Sequence, residues 1–153
     1  MKIRNRTACR GFTLIEVLIV ATIIGLIVAI AIPNLLNAIQ RSRQSRTISD
    51  LRTIAHGLAM YDRDNTDYPR AASLEPLTNI SERLVLYVGR PPVNDGWGKS
   101  FQYKSDGRAY TVVSVAANGL IDLPWTQGTT TSFDDDIVII DGNFIQMPYG
   151  LQN

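Results

Sequence analysis

The sequence predicts an α+β fold in which a long N-terminal α-helix, membrane-spanning in its first half, packs on a small antiparallel β-sheet head of three to four strands. Three observations support this prediction: a long apolar run, apolar residues at helical spacing beyond it, and short alternating segments in the C-terminal half. A chain of 153 residues is long enough for one modest domain. We therefore expect one head and one appended anchor.

The apolar run, residues 12–32, has the length of a transmembrane helix. About 21 residues at a rise of 1.5 Å each span roughly 30 Å, which is the thickness of the hydrocarbon core. Several basic residues and no acid precede the run, so we expect the N-terminus in the cytoplasm and the remainder exported. No small-residue cleavage site follows this run, and it is longer than the apolar part of an ordinary secretory signal, so it is predicted to be retained.

Glu16 is the one ionisable residue inside the apolar run. A charged side chain at the centre of a span costs about 2.5 to 3.5 kcal/mol on insertion scales, and a simple anchor has no evident use for it. The position therefore predicts a partner charge. On composition alone, a simple transmembrane anchor remains the alternative.

Pro33 follows the run directly. A proline within a helix removes one backbone hydrogen bond and crowds the preceding turn, so we predict a kink at this residue. Beyond it, apolar residues recur three and four positions apart, which predicts that the helix continues to about residue 62 and lays one face on the head. This predicted stripe runs from Ile48 to Leu58 and comprises Ile48, Leu51, Ile54, Ala55 and Leu58.

The same helical segment carries a basic band, which comprises Arg41, Arg43, Arg46 and Arg52. Because the band follows the membrane span, we expect it to contact anionic lipid headgroups or acidic neighbouring subunits. Direct binding of DNA is a less favoured alternative, since the net charge of +1 gives no global field that would gather nucleic acid.

Residues 63–153 are predicted to form the head. An irregular segment runs to about Pro92, with a short helical candidate at residues 81–87. Three later segments alternate or run apolar between turn residues, which is typical of strands in a meander. They comprise residues 101–104, 110–115 and 137–140, with a short return after Asp141-Gly142-Asn143.

A short basic leader followed by Gly11-Phe12-Thr13-Leu14-Ile15-Glu16 resembles the class III signal of type IV prepilins, shared by type IV pilins and the pseudopilins of type II secretion. The resemblance implies that a prepilin peptidase cuts between Gly11 and Phe12, removes residues 1–11, and methylates the new amine of Phe12. It also implies a filament in which Glu16 of an incoming subunit pairs with the Phe12 amine of a neighbour. Within one subunit, that amine and Glu16 lie four residues apart and share a helical face.

The head is similar to that of the major pseudopilins in the order of several short segments. They comprise Asp64-Asn65, Tyr68-Pro69, Asp95-Gly96-Trp97-Gly98, Phe101-Gln102-Tyr103, Asn118-Gly119 and Asp135-Asp136-Ile137. In that family a loop near the C-terminus binds calcium, which prefers oxygen ligands.

The positions that correspond to this calcium loop are Asn118, Asp135 and Asp136. This chain departs from the family pattern because Asn118 replaces an aspartate and the segment from Leu120 to Phe133 is longer. The alternative interpretation of Asp134-Asp135-Asp136 is a solvated acidic turn before a strand.

No arrangement of residues indicates catalysis, and we expect no enzymatic activity. His56 is the single histidine and is interpreted as a helix-surface residue, while the single cysteine, Cys9, precedes the predicted cleavage site. The mature chain would therefore have no thiol for a disulfide or a cysteine metal site. Gly96-Trp97-Gly98-Lys99 is too short for a phosphate-binding loop, and no G-x-S-x-G motif occurs.

The resemblance implies a homo-oligomeric helical filament built from the bacterial inner membrane, with the head in the periplasm. Its implied partners are the prepilin peptidase, an inner-membrane platform protein, an assembly ATPase, and minor pilins or pseudopilins. We favour a type II secretion pseudopilus involved in protein export. A surface type IV pilus serving adhesion, twitching motility or DNA uptake is the alternative, and a membrane-anchored enzyme or receptor domain is disfavoured.

Overall fold

The computed structural model describes residues 11–148 and divides the chain into two units, Met1–Leu36 and Asn37–Asn153. Helix α1, Leu14–Asn65, contributes residues to both units. Residues 1–10, which include Cys9 and the basic leader, lie outside the described residues, as do residues 149–153.

In the first unit, α1 is apolar on every side. All residues from 11 to 36 are exposed in the isolated chain, and by length and composition this part of the helix is able to cross a membrane. An apolar surface that runs all round a helix needs lipid or protein cover. Pro33 lies within α1 with helical residues on both sides, and the kink predicted there stays a prediction.

The second unit combines the later part of α1 with a second helix and one β-sheet. The elements after α1 are β1 (Ala71–Pro76), α2 (Thr78–Val88), β2 (Gln102–Ser105), β3 (Tyr110–Ser114), β4 (Gly128–Thr130), β5 (Ile137–Ile140) and β6 (Asn143–Pro148). The strand order in the sheet is β1-β2-β3-β5-β6-β4. All neighbouring strands are antiparallel except β4 and β6.

The predicted α+β class is confirmed, with a sheet of six strands in place of the expected three to four. The two unexpected members are β1 and β4. The sequence of β1, Ala-Ala-Ser-Leu-Glu-Pro, is poor in residues that favour strands, so only its pairing with β2 makes it one. β4 has three residues and lies in the long loop. Helix α1 ends at Asn65, slightly beyond the predicted residue 62.

The core of the second unit lies between α1 and one face of the sheet. Leu51, Ile54 and Leu58 of α1 are fully buried against Tyr103 and Ile137 of the strands. The predicted stripe is confirmed at these positions and at Ala55, and Ile48 is half-buried and packs against the same core. Full burial of a leucine or isoleucine side chain contributes about 1.5 to 3 kcal/mol, so this stripe holds the helix on the sheet.

The opposite face of the sheet is also covered. Val113 and Val138 pair across β3 and β5 and alternate with residues that face α1, yet both are 0% exposed. Leu123 and Trp125 of the long loop line a cavity together with Lys104 and Thr111, which are cross-strand neighbours on that face. The first part of the long loop therefore lies beside this face at Leu123 and Trp125, and its later part enters the sheet as β4.

Candidate functional site

The N-terminus of α1 forms a capping box. The backbone amide and the hydroxyl of Thr13 donate to Oε2 of Glu16 at 3.1 and 3.0 Å, and the Glu16 amide donates to Thr13 Oγ1 at 3.3 Å. Reciprocal bonds of this kind satisfy backbone donors that have no partner inside the helix. Sequence reasoning missed this role of Glu16, although the Thr-x-x-Glu spacing that signals it was present.

The capping box lowers the free-energy cost of the Glu16 carboxylate in a membrane. Two donors from Thr13 already solvate one oxygen of Glu16, which reduces the cost of placing the carboxylate in lipid. Phe12 lies one turn away and is 77% exposed, and with Gly11 attached its nitrogen is still an amide. An ammonium at Phe12 would arise only after cleavage, so the predicted pairing with Glu16 requires a processed chain.

The predicted scissile bond is accessible. Gly11 and Phe12 precede the first residue of α1 and are exposed, and a Cβ built on Gly11 would meet no atom within 4 Å. The chain itself therefore does not require glycine at this position. A steric need for glycine would come from the peptidase.

In the head, Asp136 is the most constrained of the predicted calcium ligands. It is 0% exposed, and its Oδ2 accepts hydrogen bonds from the Asp122 amide at 2.9 Å and from Trp125 Nε1 at 2.8 Å. Its Oδ1 is buried and has no hydrogen-bond partner. Burial raises the pKa of Asp136, the two donors oppose this shift, and the carboxylates of Asp122 and Asp135 add to it.

The other two predicted ligands lie on either side of this group. Asn118 accepts from the Leu120 amide at 2.9 Å, and its Nδ2 donates to Asp122 Oδ2 at 3.3 Å. Asp135 uses Oδ2 to accept the amides of Thr131 and Ser132 at 2.8 and 2.9 Å. Asn118 and Asp136 are thus linked through Asp122, whereas the bonds of Asp135 order the turn before β5.

Sequence reasoning missed Asp122 and Trp125, because nothing local marks them as partners of Asp136. Within residues 11–148, no three histidine, cysteine or acidic side chains converge as a metal-binding group. Asp136 Oδ1 nevertheless fits a hard cation, since it is a buried carboxylate oxygen without a donor and has acidic neighbours. Further oxygen ligands would come from neighbouring carboxylates, from side-chain amide or backbone carbonyls, or from water.

The basic band is partly engaged inside the head. Arg46 Nε lies 3.5 Å from Asp50 Oδ2, and the Arg52 guanidinium lies 5.7 Å from the centre of the Phe144 ring. His56 is exposed on α1, as predicted. The described part of the band is therefore not a uniformly free cationic surface.

Comparisons with known proteins agree with both parts of the chain. The model of the family described as "Type II secretion system (T2SS), protein G" matches residues 34–133, and that of the "Prokaryotic N-terminal methylation motif" matches residues 6–32. This chain belongs to the type II secretion system protein G family. The two matched ranges lie on either side of Pro33. The first covers the apolar run, and the second extends from α1 through the head as far as Phe133.

Relatives in this family match most of the chain. The type II secretion system core protein G of Vibrio cholerae is 35% identical, with 77% of this chain and 85% of the relative covered. The protein of the same name from Escherichia coli K12 is 31% identical, with 72% and 83% covered. No solved structure matches the chain. The predicted resemblance to pseudopilins is confirmed.

Proposed function

We propose that the chain is a structural subunit of a type II secretion pseudopilus that takes part in protein export. The observation that carries this proposal is the first unit: a family member whose helix is apolar on every side and has no cover of its own. Such a surface is satisfied by lipid before assembly and by copies of itself in a filament. The protein G matches favour the pseudopilus over a surface type IV pilus.

Processing is the first step of the proposed mechanism. A prepilin peptidase in the inner membrane hydrolyses the bond between Gly11 and Phe12, removes residues 1–11, and methylates the Phe12 amine. The match to the N-terminal methylation motif supports this step, and so does the exposure of the bond. Residues 12–32 then anchor the subunit, with residues 63–153 in the periplasm.

Assembly is the second step. A platform protein and an ATPase move subunits from the membrane into the filament, where minor pseudopilins would be neighbours. The Phe12 ammonium of one subunit meets Glu16 of the next, and a low-dielectric surrounding makes this contact selective for register. Before this contact forms, the amide and hydroxyl of Thr13 hold the carboxylate of Glu16 in place. Pro33 allows the helix to bend as its surroundings change.

Calcium is the proposed cation of the Asp136 loop. Asp136 Oδ1 and the Asp122 carboxylate would hold it, and Asn118 would contribute its amide oxygen if the bond to Leu120 were released. The ion would supply the partner that Asp136 Oδ1 lacks. It would also fix the long loop on the sheet, because Asp122 and Trp125 both donate to Asp136.

The proposed function is tested by isolating the mature chain from membranes and from sheared filaments. We expect intact-mass and N-terminal analysis to find a chain that starts at methylated Phe12. Electron microscopy of cells that overproduce the chain should show filaments, and deletion of its gene should abolish export. A mature chain that retains residues 1–11, or export that is normal without the gene, would refute the proposal. Long surface fibres at native expression would favour the surface pilus.

A further inference from the structure

A short loop between α2 and β2 docks on α1. The amide of Gly96 donates to Thr47 Oγ1 at 2.9 Å, and Trp97 Nε1 donates to Gln40 Oε1 at 2.7 Å. Thr47 in turn donates its hydroxyl to the Arg43 carbonyl at 2.9 Å. The bonds made by Gly96 and Trp97 join residues that are 49 and 57 positions apart in the chain. They reach α1 at two points about two helical turns apart.

The docked loop is held rigidly by one buried carboxylate. Asp95 is 3% exposed, and its Oδ1 accepts the amides of Trp97 and Lys99, each at 2.9 Å. Its Oδ2 accepts the hydroxyl of Ser114 on β3 at 2.7 Å. The loop is therefore attached to the sheet at one end and to α1 at the other.

Glycine is required where the loop meets the helix. A Cβ built on Gly96 would overlap the carbonyl of Arg43, whose carbon and oxygen belong to the helix backbone and cannot move aside without distorting the helix. Backbone-to-backbone contact of this closeness excludes every other residue type at position 96.

The loop acts where the apolar core does not reach. The fully buried apolar side chains of α1 begin at Leu51, and the buried residues before it are polar, Gln44 and Thr47. About two turns of helix, from Gln40 to Thr47, are thus attached to the head by polar contacts rather than by the hydrophobic stripe. Helix segments with few packing contacts open most readily, so these polar contacts stabilise this stretch of α1.

We propose that residues 95–99 form a latch that keeps α1 helical from Gln40 onward and so sets the N-terminal limit of the part of α1 that belongs to the head. Changes in helix conformation during polymerisation are then confined to the residues before Gln40. The latch is a property of the single chain, so it does not depend on which filament the chain builds.

Hydrogen exchange of the full-length chain in detergent micelles tests the latch. Trp97→Phe keeps an aromatic ring at this position but removes the indole N–H that donates to Gln40. We expect amides in residues 40–50 to exchange about fivefold faster, the effect of one lost hydrogen bond. Gly96→Ala should accelerate the same amides by more than tenfold, because it separates the two backbones. Amides of β3 and β5 should exchange as in the wild type in the Trp97→Phe variant.

Trp125→Phe is the matched control, since Trp125 also donates its indole N–H to a side chain, but to Asp136 rather than to α1. It should leave residues 40–50 unchanged. Unchanged exchange of these residues in Trp97→Phe would overturn the latch. Equal acceleration throughout the head would also overturn it, because the loop would then be a general contributor to stability. If Gly96→Ala fails to fold, Trp97→Phe and its control still decide the question.

Discussion

The two stretches of α1 differ in how their apolar side chains are covered. Between residues 14 and 36 every side chain is exposed in the isolated chain, although nearly all are apolar. Between Leu51 and Leu58 only one face is apolar, and its residues are buried against the sheet. The first stretch depends on lipid or other copies, whereas the second is satisfied within the chain.

This difference separates two kinds of mutational effect. Substitutions in the second stretch should lower the stability of the head. Substitutions in the first should leave that stability unchanged and act on membrane insertion or assembly, because its apolar side chains are exposed in the isolated chain.

The largest expected effect is at Ile54, which is 0% exposed. Ile54→Ala should destabilise the head by about 2 to 5 kcal/mol, through lost burial and the cavity that remains. The measurement is thermal unfolding of the full-length chain in detergent, followed by near-ultraviolet circular dichroism. Ile24→Ala is the matched control, since Ile24 is 56% exposed in the isolated chain. Equal shifts in Tm for the two variants would invalidate the comparison.

Asp136 sharpens the comparison, because it is buried in the head and its Oδ1 has no hydrogen-bond partner within the described residues. The proposed partner of this oxygen is a calcium ion. Calcium at 100 times its dissociation constant should stabilise the head by about 2.7 kcal/mol, the amount set by linkage. Differential scanning fluorimetry with calcium or with a chelator measures this as a shift in Tm. Asp136→Asn should abolish the shift.

Asp134→Asn is the control for this measurement, since Asp134 is exposed and the substitution removes the same formal charge as Asp136→Asn. It should preserve the response to calcium. A wild-type chain whose Tm does not respond to calcium would contradict the proposed site, and so would an Asp136→Asn variant that responds normally.

The smallest expected free-energy change is at Glu16, and it affects filament assembly rather than the stability of the head. Glu16→Ala should leave the Tm of the head unchanged but reduce filament yield by about tenfold or more, equivalent to roughly 1.4 kcal/mol per contact. Filaments sheared from cells and quantified by immunoblotting give the yield. Glu82→Ala, which removes an exposed acid on α2, should assemble normally. Normal polymerisation of the Glu16→Ala chain would refute the proposed pairing.

Local patterns predicted much of the fold and the candidate site at the N-terminus of α1. The candidate calcium positions came from the family resemblance. The length of residues 12–32, the spacing of Leu51, Ile54 and Leu58, and the strands of the central meander are all periodic features within short windows. The resemblance to type IV prepilins came from a contiguous motif at Gly11 to Glu16, and the resemblance of the head came from short segments in a shared order. Even the capping box of Thr13 and Glu16 was readable at this level.

Other features depend on residues that are distant in the sequence. β1 has no strand signal of its own and exists because β2 offers it an edge. Val113 and Val138 are fully buried through the packed fold, and no local pattern indicated that burial. Asp122 and Trp125 became partners of Asp136 only when that loop folded back.

The sequence by itself determined the apolar segment, the amphipathic stripe and the predicted processing motif, because each is a property of neighbouring residues on one helix. Only the tertiary structure decided that Asp136 Oδ1 is left without a hydrogen-bond donor, and at which residues the loop of the head contacts α1. Both depend on loops whose contacts span tens of residues, such as Gly96 against Arg43. Burial and hydrogen bonding at those points are set by the packed fold, since no local preference selects them.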